Sequence, residues 1–109
     1  MGKLDMRTGS TTVMVLRLLA EKPMYGYQIV KELQSRSEGY FDLEQGTLYP
    51  ALHRLENDEF VESRWEVVED GPSRKYYHIT DKGRAELEKS AQQWSDFSRH
   101  LLKLLEGSL

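Results

Sequence analysis

The sequence contains no cysteine, which excludes a disulfide framework and a thiolate zinc site. It also lacks an apolar run of about 20 residues, the length that a membrane-spanning helix requires. The first residues, MGKLDMRTGS, have no apolar centre of the kind found in secretory signal peptides. We therefore expect a cytoplasmic protein with no membrane partner.

An excess of positive charge is absent as well. Fifteen Lys and Arg residues against eighteen Asp and Glu residues give a formal net charge of −3. A nucleic-acid partner would therefore have to be bound by a local basic surface. The 109 residues suffice for one small hydrophobic core, and no repeat or low-complexity linker divides them.

Motifs for catalysis and metal binding are also missing. The sequence has no nucleophile elbow, no phosphate-binding glycine loop and no HExxH helix. The three histidines, His53, His78 and His100, lack the spacing of metal ligands. The acidic residues are frequent but are distributed like solubilising charge. We predict no enzymatic activity, no metal and no cofactor.

Two helices are predicted in the first third of the chain. Residues 10–21 have apolar residues at helical spacing, and either Ser10 or Thr11 can cap that helix. KPMYGYQ interrupts the pattern, and a second helix is expected from near Tyr25 to about Ser37.

A third helix is predicted in the segment GTLYPALHRLE. Leucines lie within a narrow arc of that helix, with polar residues on the opposite side. Pro50 lacks the N–H that a helix interior needs, so it is expected in the first turn. The helix is therefore predicted to start near Gly46 or Thr47, with the Thr47 hydroxyl as its cap.

A hairpin and a long helix complete the chain. Residues 61–68 alternate as a strand with Val61 and Trp65 on one face, EDGPS is a turn, and RKYYHIT is a second strand. The hairpin tip is expected to carry Arg74 and Lys75. Thr80 is predicted to cap the last helix, TDKGRAELEKSAQQWSDFSRHLLKLLEG.

This order of elements is the layout of a winged helix-turn-helix. The expected fold class is mainly α with a small β-hairpin wing and a long C-terminal helix. Residues 1–80 are predicted to form the DNA-binding domain and residues 81–109 a dimerisation helix, within one compact unit.

A recognition helix must bury one face and present hydrogen-bonding groups to the major groove on the other. The predicted base-reading residues are Thr47, Tyr49, Pro50, His53 and Arg54. The predicted phosphate contacts are Tyr27, Lys31, Ser73, Arg74 and Lys75. Alternatively, each charged residue is an ordinary solvated side chain. Local packing is an equally good interpretation of Tyr49.

The last helix has a broad apolar stripe that a short core would cover on one side only. Together with the first helix, it predicts a dimer interface formed by Val13, Leu16, Trp94, Phe97, Leu101, Leu104 and Leu105. The alternative is that the stripe folds back on its own subunit. Trp94 is a candidate wall for an aromatic effector, although the same pattern also fits plain core packing.

Three separated segments, MYGYQIVKEL, GTLYPALHRLE and GPSRKYYHITDKG, closely resemble the PadR family of bacterial transcriptional regulators over roughly residues 10–85. The single helix after the wing is similar to the compact branch of that family. The resemblance implies a homodimeric winged-helix repressor that a small aromatic molecule releases from an inverted-repeat operator in double-stranded DNA. One departure is Glu59 in NDEF, where members often have a glycine at the turn.

The leading hypothesis is therefore a sequence-specific DNA-binding transcriptional regulator. The alternative is a winged-helix module for protein–protein interaction without DNA binding, because a fold does not determine a function.

Overall fold

The computed structural model describes residues 6–67 and 71–107, with side chains from residue 9 onward within those ranges. The elements in chain order are α1 (Met6–Leu19), β1 (Met24–Tyr25), α2 (Gly26–Arg36), α3 (Gln45–Asn57), β2 (Val61–Glu66), β3 (Arg74–Ile79) and α4 (Asp81–Glu106). The strands form one antiparallel sheet in the order β1-β3-β2. The predicted fold class is confirmed: a mainly helical chain with a small wing and a long C-terminal helix.

Helix α1 begins at Met6, so the predicted cap at Ser10 or Thr11 is wrong. Glycine, serine and threonine have low helix propensities, which is why the sequence pattern predicts a boundary at this run. Packing against the rest of the chain overrides that preference. Thr11 is buried, and the backbone of Gly9 lies against the indole of Trp94, where an added Cβ would be 3.4 Å from the ring.

Helix α2 begins at Gly26, close to the predicted start. Tyr25 is its N-cap in extended conformation, and its backbone N–H donates to the side chain of Gln28 at 3.1 Å. The helix ends at Arg36, and the N–H of Ser37 bonds to the Leu33 carbonyl at 3.2 Å.

Helix α3 begins at Gln45, two residues earlier than Thr47, and its N-cap is Glu44. The predicted cap at Thr47 is therefore wrong, since this residue lies exposed in the first turn. Pro50 is the sixth helical residue instead of a first-turn residue. Its missing N–H leaves the Gly46 carbonyl without its usual helical donor, which is tolerated because Gly46 is exposed to solvent.

The core lies where α1, α2, α3 and the sheet meet. It consists of Val15, Leu16, Leu18, Leu19, Met24, Ile29, Leu33, Leu48, Leu52, Leu55, Val61 and Tyr77. Leu16 is fully buried within its own chain, so its side chain is not available to a partner. Its assignment to a dimer interface was wrong, because periodicity cannot say which apolar face the chain itself covers.

The turn after α3 contains the residue that departs from the family pattern. Glu59 has φ 63°, in the left-handed region that favours glycine. The turn nevertheless closes: the N–H of Glu59 bonds to the Glu56 carbonyl at 3.0 Å, and that of Phe60 bonds to the Leu55 carbonyl at 2.9 Å. Glutamate in place of glycine at this position strains the backbone, but the hydrogen bonds of the turn still form.

In the wing, strand β2 pairs with β3 from Val61 opposite Ile79 to Glu66 opposite Arg74. Arg74 and Lys75 therefore lie within a strand, and their predicted position at the hairpin tip is wrong. The last residue of the predicted strand, Val68, and residues 69–70 of the predicted turn lie outside the described residues. β1 was not anticipated, because two residues are too few to show an alternating pattern.

Thr80 caps α4 as predicted: its hydroxyl oxygen accepts from the N–H of Gly83 at 3.0 Å and donates to the Glu59 carbonyl at 2.7 Å. This bond fixes the start of α4 to the turn that follows α3. No helix in the described part of the chain combines the length and apolar character needed to cross a membrane.

Candidate nucleic-acid interface

Helix α3 separates its apolar side chains from its polar ones. Leu48, Ala51, Leu52 and Leu55 are each at most 2% exposed. Thr47, Pro50, His53 and Arg54 are exposed on the other side. The structure thus places these four predicted base-reading residues on one solvent-facing surface of α3.

Tyr49 packs locally and also remains partly exposed, so both interpretations, packing and DNA contact, are compatible with its position. Its ring packs on the backbone of Gly26, where an added Cβ would lie 2.6 Å from the Tyr49 hydroxyl oxygen. The side chain is still 45% exposed. Tyr49 therefore joins α2 to α3 while leaving part of its ring and hydroxyl at the surface.

A cleft of about 410 Å³ lies between the wing and the first turn of α2. It contains five of the predicted DNA-contacting residues: Tyr27, Tyr49, Ser73, Arg74 and Lys75. Lys31 lies one helical turn from Tyr27, with its Nζ 5.6 Å from the centre of that ring. The structure thus brings the phosphate-contacting candidates of α2 and the wing to one surface.

The arginines fall into two groups by their partners. Four pair with carboxylates, namely Arg17, Arg36, Arg64 and Arg99, and Arg84 donates to the carbonyl of Ala20. Among the arginines whose side chains are described, only Arg54 and Arg74 have neither kind of partner. These two belong to α3 and to the wing, so their charges remain available to an anionic ligand.

Aromatic rings hold the two wing cations in place. The guanidinium carbon of Arg74 is 4.4 Å from the centre of the Tyr25 ring, and Tyr25 in turn packs edge-on against Tyr76. Lys75 Nζ lies 5.6 Å from the centre of the Tyr77 ring. Such contacts orient a cation without neutralising it.

Tyr77 lines the cleft on the side of the sheet. Burial, with smaller effects from Glu56 and Tyr49, raises the pKa of Tyr77, so its hydroxyl stays protonated at neutral pH. Glu56 accepts a hydrogen bond of 2.5 Å from the Ser63 hydroxyl. This carboxylate is therefore engaged with β2.

Sequence reasoning missed Trp65 as a residue of this surface. It lines the cleft and is 70% exposed, because β2 extends past the core after Val61. The sequence carried no clear signal for this position: with EDGPS as a five-residue turn, Trp65 would pair with Tyr77, whereas the observed register pairs it with Lys75.

The predicted interface residues of α4 form a second surface, away from the cleft. Leu101, Leu104 and Leu105 are 39%, 80% and 67% exposed, respectively. Trp94 and Phe97 are half-buried and pack edge-on, with ring centres 5.8 Å apart. Val13 is half-buried on α1. Within the described residues, no group of three or more histidines, aspartates or glutamates could hold a metal ion.

The sequence was compared with protein families and with known proteins. Residues 15–89 match the Transcriptional regulator PadR-like family. The chain is 36% identical over 103 residues to Uncharacterized protein X of Lysinibacillus sphaericus, covering 94% of each chain. It is 34% identical over 88 residues to Transcriptional regulator Rv3488 of Mycobacterium tuberculosis, covering 81% of this chain and 78% of that protein.

A solved structure shows the same fold. The crystal structure of a PadR family transcriptional regulator from Eggerthella lenta superposes with a TM-score of 0.79 at 37% identity, over 94% of this chain and 88% of that one. The sequence match, the shared fold and the exposed face of α3 lead to one conclusion: the chain belongs to the PadR-like family of transcriptional regulators.

Proposed function

We propose that the protein is a homodimeric repressor that binds an inverted-repeat operator. In each subunit α3 enters the major groove, and the wing contacts the neighbouring backbone. The observation that carries this proposal is the availability of Arg54 and Arg74. Among the described residues, neither arginine has a carboxylate or carbonyl partner, and the two lie on the elements that a winged helix applies to DNA.

The exposed face of α3 has suitable chemistry for reading bases. Arg54 can donate two hydrogen bonds to guanine, and the methyl of Thr47 and the ring of Pro50 can contact thymine methyl groups. His53 can donate or accept according to its tautomer. Arg74 and Lys75, held by aromatic rings, fit phosphate contacts that position the protein without reading sequence.

Dimerisation is supported by two apolar surfaces on one chain. The first is the exposed leucine stripe at the end of α4. The second is a groove of about 440 Å³ among α1, α2 and α4, whose lining includes Val13, Met14, Leu87 and Ala91. A second copy can cover both surfaces, and a two-fold axis then relates two recognition helices.

Arg54→Ala is expected to weaken operator binding by about 10- to 100-fold, since a bidentate contact with guanine contributes roughly 1–3 kcal/mol. The operator is obtained by selecting bound duplexes from a random pool, and affinities are measured by anisotropy of a labelled duplex.

Arg99→Ala is the matched control, because Arg99 is paired with Asp96 on α4 and should have no effect on DNA binding. Unchanged affinity in Arg54→Ala would remove this residue from the interface. If the wild type binds no duplex even at low ionic strength, the chain is better described as a protein–protein interaction module.

Release by a small aromatic effector is the second part of the proposal. Trp94 packs on Gly9 with part of its indole still uncovered, so a dimer could form a pocket at this ring. To induce, the effector must bind the DNA-incompetent arrangement better than the competent one.

We expect a planar aromatic inducer to quench Trp94 emission in Trp65→Phe, where Trp94 is the remaining tryptophan. The same compound should lower operator affinity in the wild type, and Trp94→Ala should abolish that response. An inducer that still releases DNA from a dimeric Trp94→Ala protein would place the effector elsewhere.

A further inference from the structure

The wing has an inner face that continues from the core into solvent. Residues paired across an antiparallel ladder share a face, and here the pairs are Val61 with Ile79, Ser63 with Tyr77, and Trp65 with Lys75. Val61 and Tyr77 are buried. Farther along the two strands, the same face lies outside the core, and its last paired residues are Trp65 and Lys75.

The two faces of β2 differ in charge. Its outer face carries Glu62, Arg64 and Glu66, and Arg64 is paired with Glu62. Among the described residues, β2 itself contributes no carboxylate to its inner face. The Glu56 carboxylate of α3 is bonded to Ser63 near the core, whereas the ammonium of Lys75 lies on the strand opposite Trp65. In the described part of the chain, the cleft that borders this inner face is lined by Arg74 and Lys75 and by no carboxylate, so it would attract a polyanion.

Trp65 lies at the end of that inner face and lines the cleft. Single exposed hydrophobic residues are common and need no explanation. Trp65 differs because its neighbours around the cleft are groups that bind phosphate: the hydroxyls of Tyr27, Tyr49 and Ser73, and the ammonium of Lys75. These donors and an indole match the phosphate oxygens and the apolar deoxyribose of a DNA backbone.

We propose that Trp65 is a DNA-contacting residue whose indole lies against the sugar–phosphate backbone in the cleft between the wing and α2. This inference rests on the proposed function and adds a neutral contact to the charged ones. Lys75 and the hydroxyls hold the phosphate, and Trp65 covers the adjacent deoxyribose and excludes water. The contact is independent of base sequence.

The test uses a mixed-sequence DNA duplex at low ionic strength. Trp65→Ala is expected to weaken binding by about tenfold, as expected for the loss of one large apolar contact. The slope of log affinity against log salt should stay unchanged, because no phosphate contact is lost. Lys75→Ala should instead make the slope shallower by about 0.9. In Trp94→Phe, Trp65 emission should change on adding the duplex and recover at high salt.

Val67→Ala is the matched control, since Val67 follows β2 directly and is 84% exposed but does not line the cleft. Full affinity in Trp65→Ala, or an equal loss in Val67→Ala, overturns the inference while leaving the proposed function intact. Unchanged Trp65 emission at full duplex occupancy also overturns it. A wild type that binds no duplex overturns the proposed function, and this inference with it.

Discussion

Gly83→Ala is expected to lower the free energy of unfolding by about 3 kcal/mol, one of the larger losses for a single methyl group. Gly83 is buried in the first turn of α4. A Cβ at this position would lie 2.0 Å from the carbonyl oxygen of Phe60 and 2.8 Å from Cγ1 of Ile79. The nearest obstacle is backbone, which no side-chain rotation can relieve.

The Phe60 carbonyl cannot move away without weakening other hydrogen bonds. It accepts the N–H of Thr80 at 3.0 Å, and the Thr80 hydroxyl in turn caps α4 at Gly83. Displacing this carbonyl would therefore disturb both the sheet end and the helix cap. Glycine is required here by close approach, although its helix propensity is low.

Chemical denaturation with a two-state fit measures this effect. The matched control is Gly46→Ala, because Gly46 is also helical but has no atom within 4 Å of an added Cβ. That variant is expected to gain up to about 1 kcal/mol from the better helix propensity of alanine. Equal stability of Gly83→Ala and wild type would show that α4 can shift away from Phe60.

The sequence was sufficient to predict the elements that carry strong periodicity. The leucines of α3, the alternation of β2 and the Thr80 cap each have a local cause, so the structure matches the prediction. Helix starts were less predictable, because packing decides them. Helix α1 extends through Gly9, which packs on Trp94, and through Thr11, which is buried.

The functional surface depends on contacts that are remote in sequence. Nothing local shows that Arg36 pairs with Glu21, fifteen residues away, whereas Arg54 has no partner among the described residues. The register that places Trp65 opposite Lys75 also depends on the exact number of residues in the hairpin loop, which the sequence pattern does not specify. Sequence reasoning therefore found which residues carry suitable chemistry, and the folded chain shows which charges are available.

Leu104→Asp is expected to weaken the proposed dimer by about 100-fold or more, which corresponds to roughly 2.7 kcal/mol. The variant places a carboxylate where the partner would otherwise cover an apolar side chain, and an unpaired charge is costly to bury. Leu104 is 80% exposed in the single chain, so the subunit itself should fold normally.

Operator binding should fall together with dimerisation. A dimer holds two copies of α3 at a fixed spacing, and a monomer can occupy only one half-site. The same variant should therefore lose operator affinity without any change at Arg54 or in the wing. Sedimentation measures the dimer, and anisotropy of the labelled operator measures DNA binding.

Ser95→Asp is the matched control, since it changes the net charge equally but lies on the opposite, exposed face of α4. Both proteins should show the same thermal unfolding midpoint at concentrations where the subunits are separate. A wild type that sediments as a monomer at micromolar concentration would argue against the dimer. A Leu104→Asp protein that remains fully dimeric would place the interface elsewhere on the subunit, and the leucine stripe of α4 would then need a different explanation.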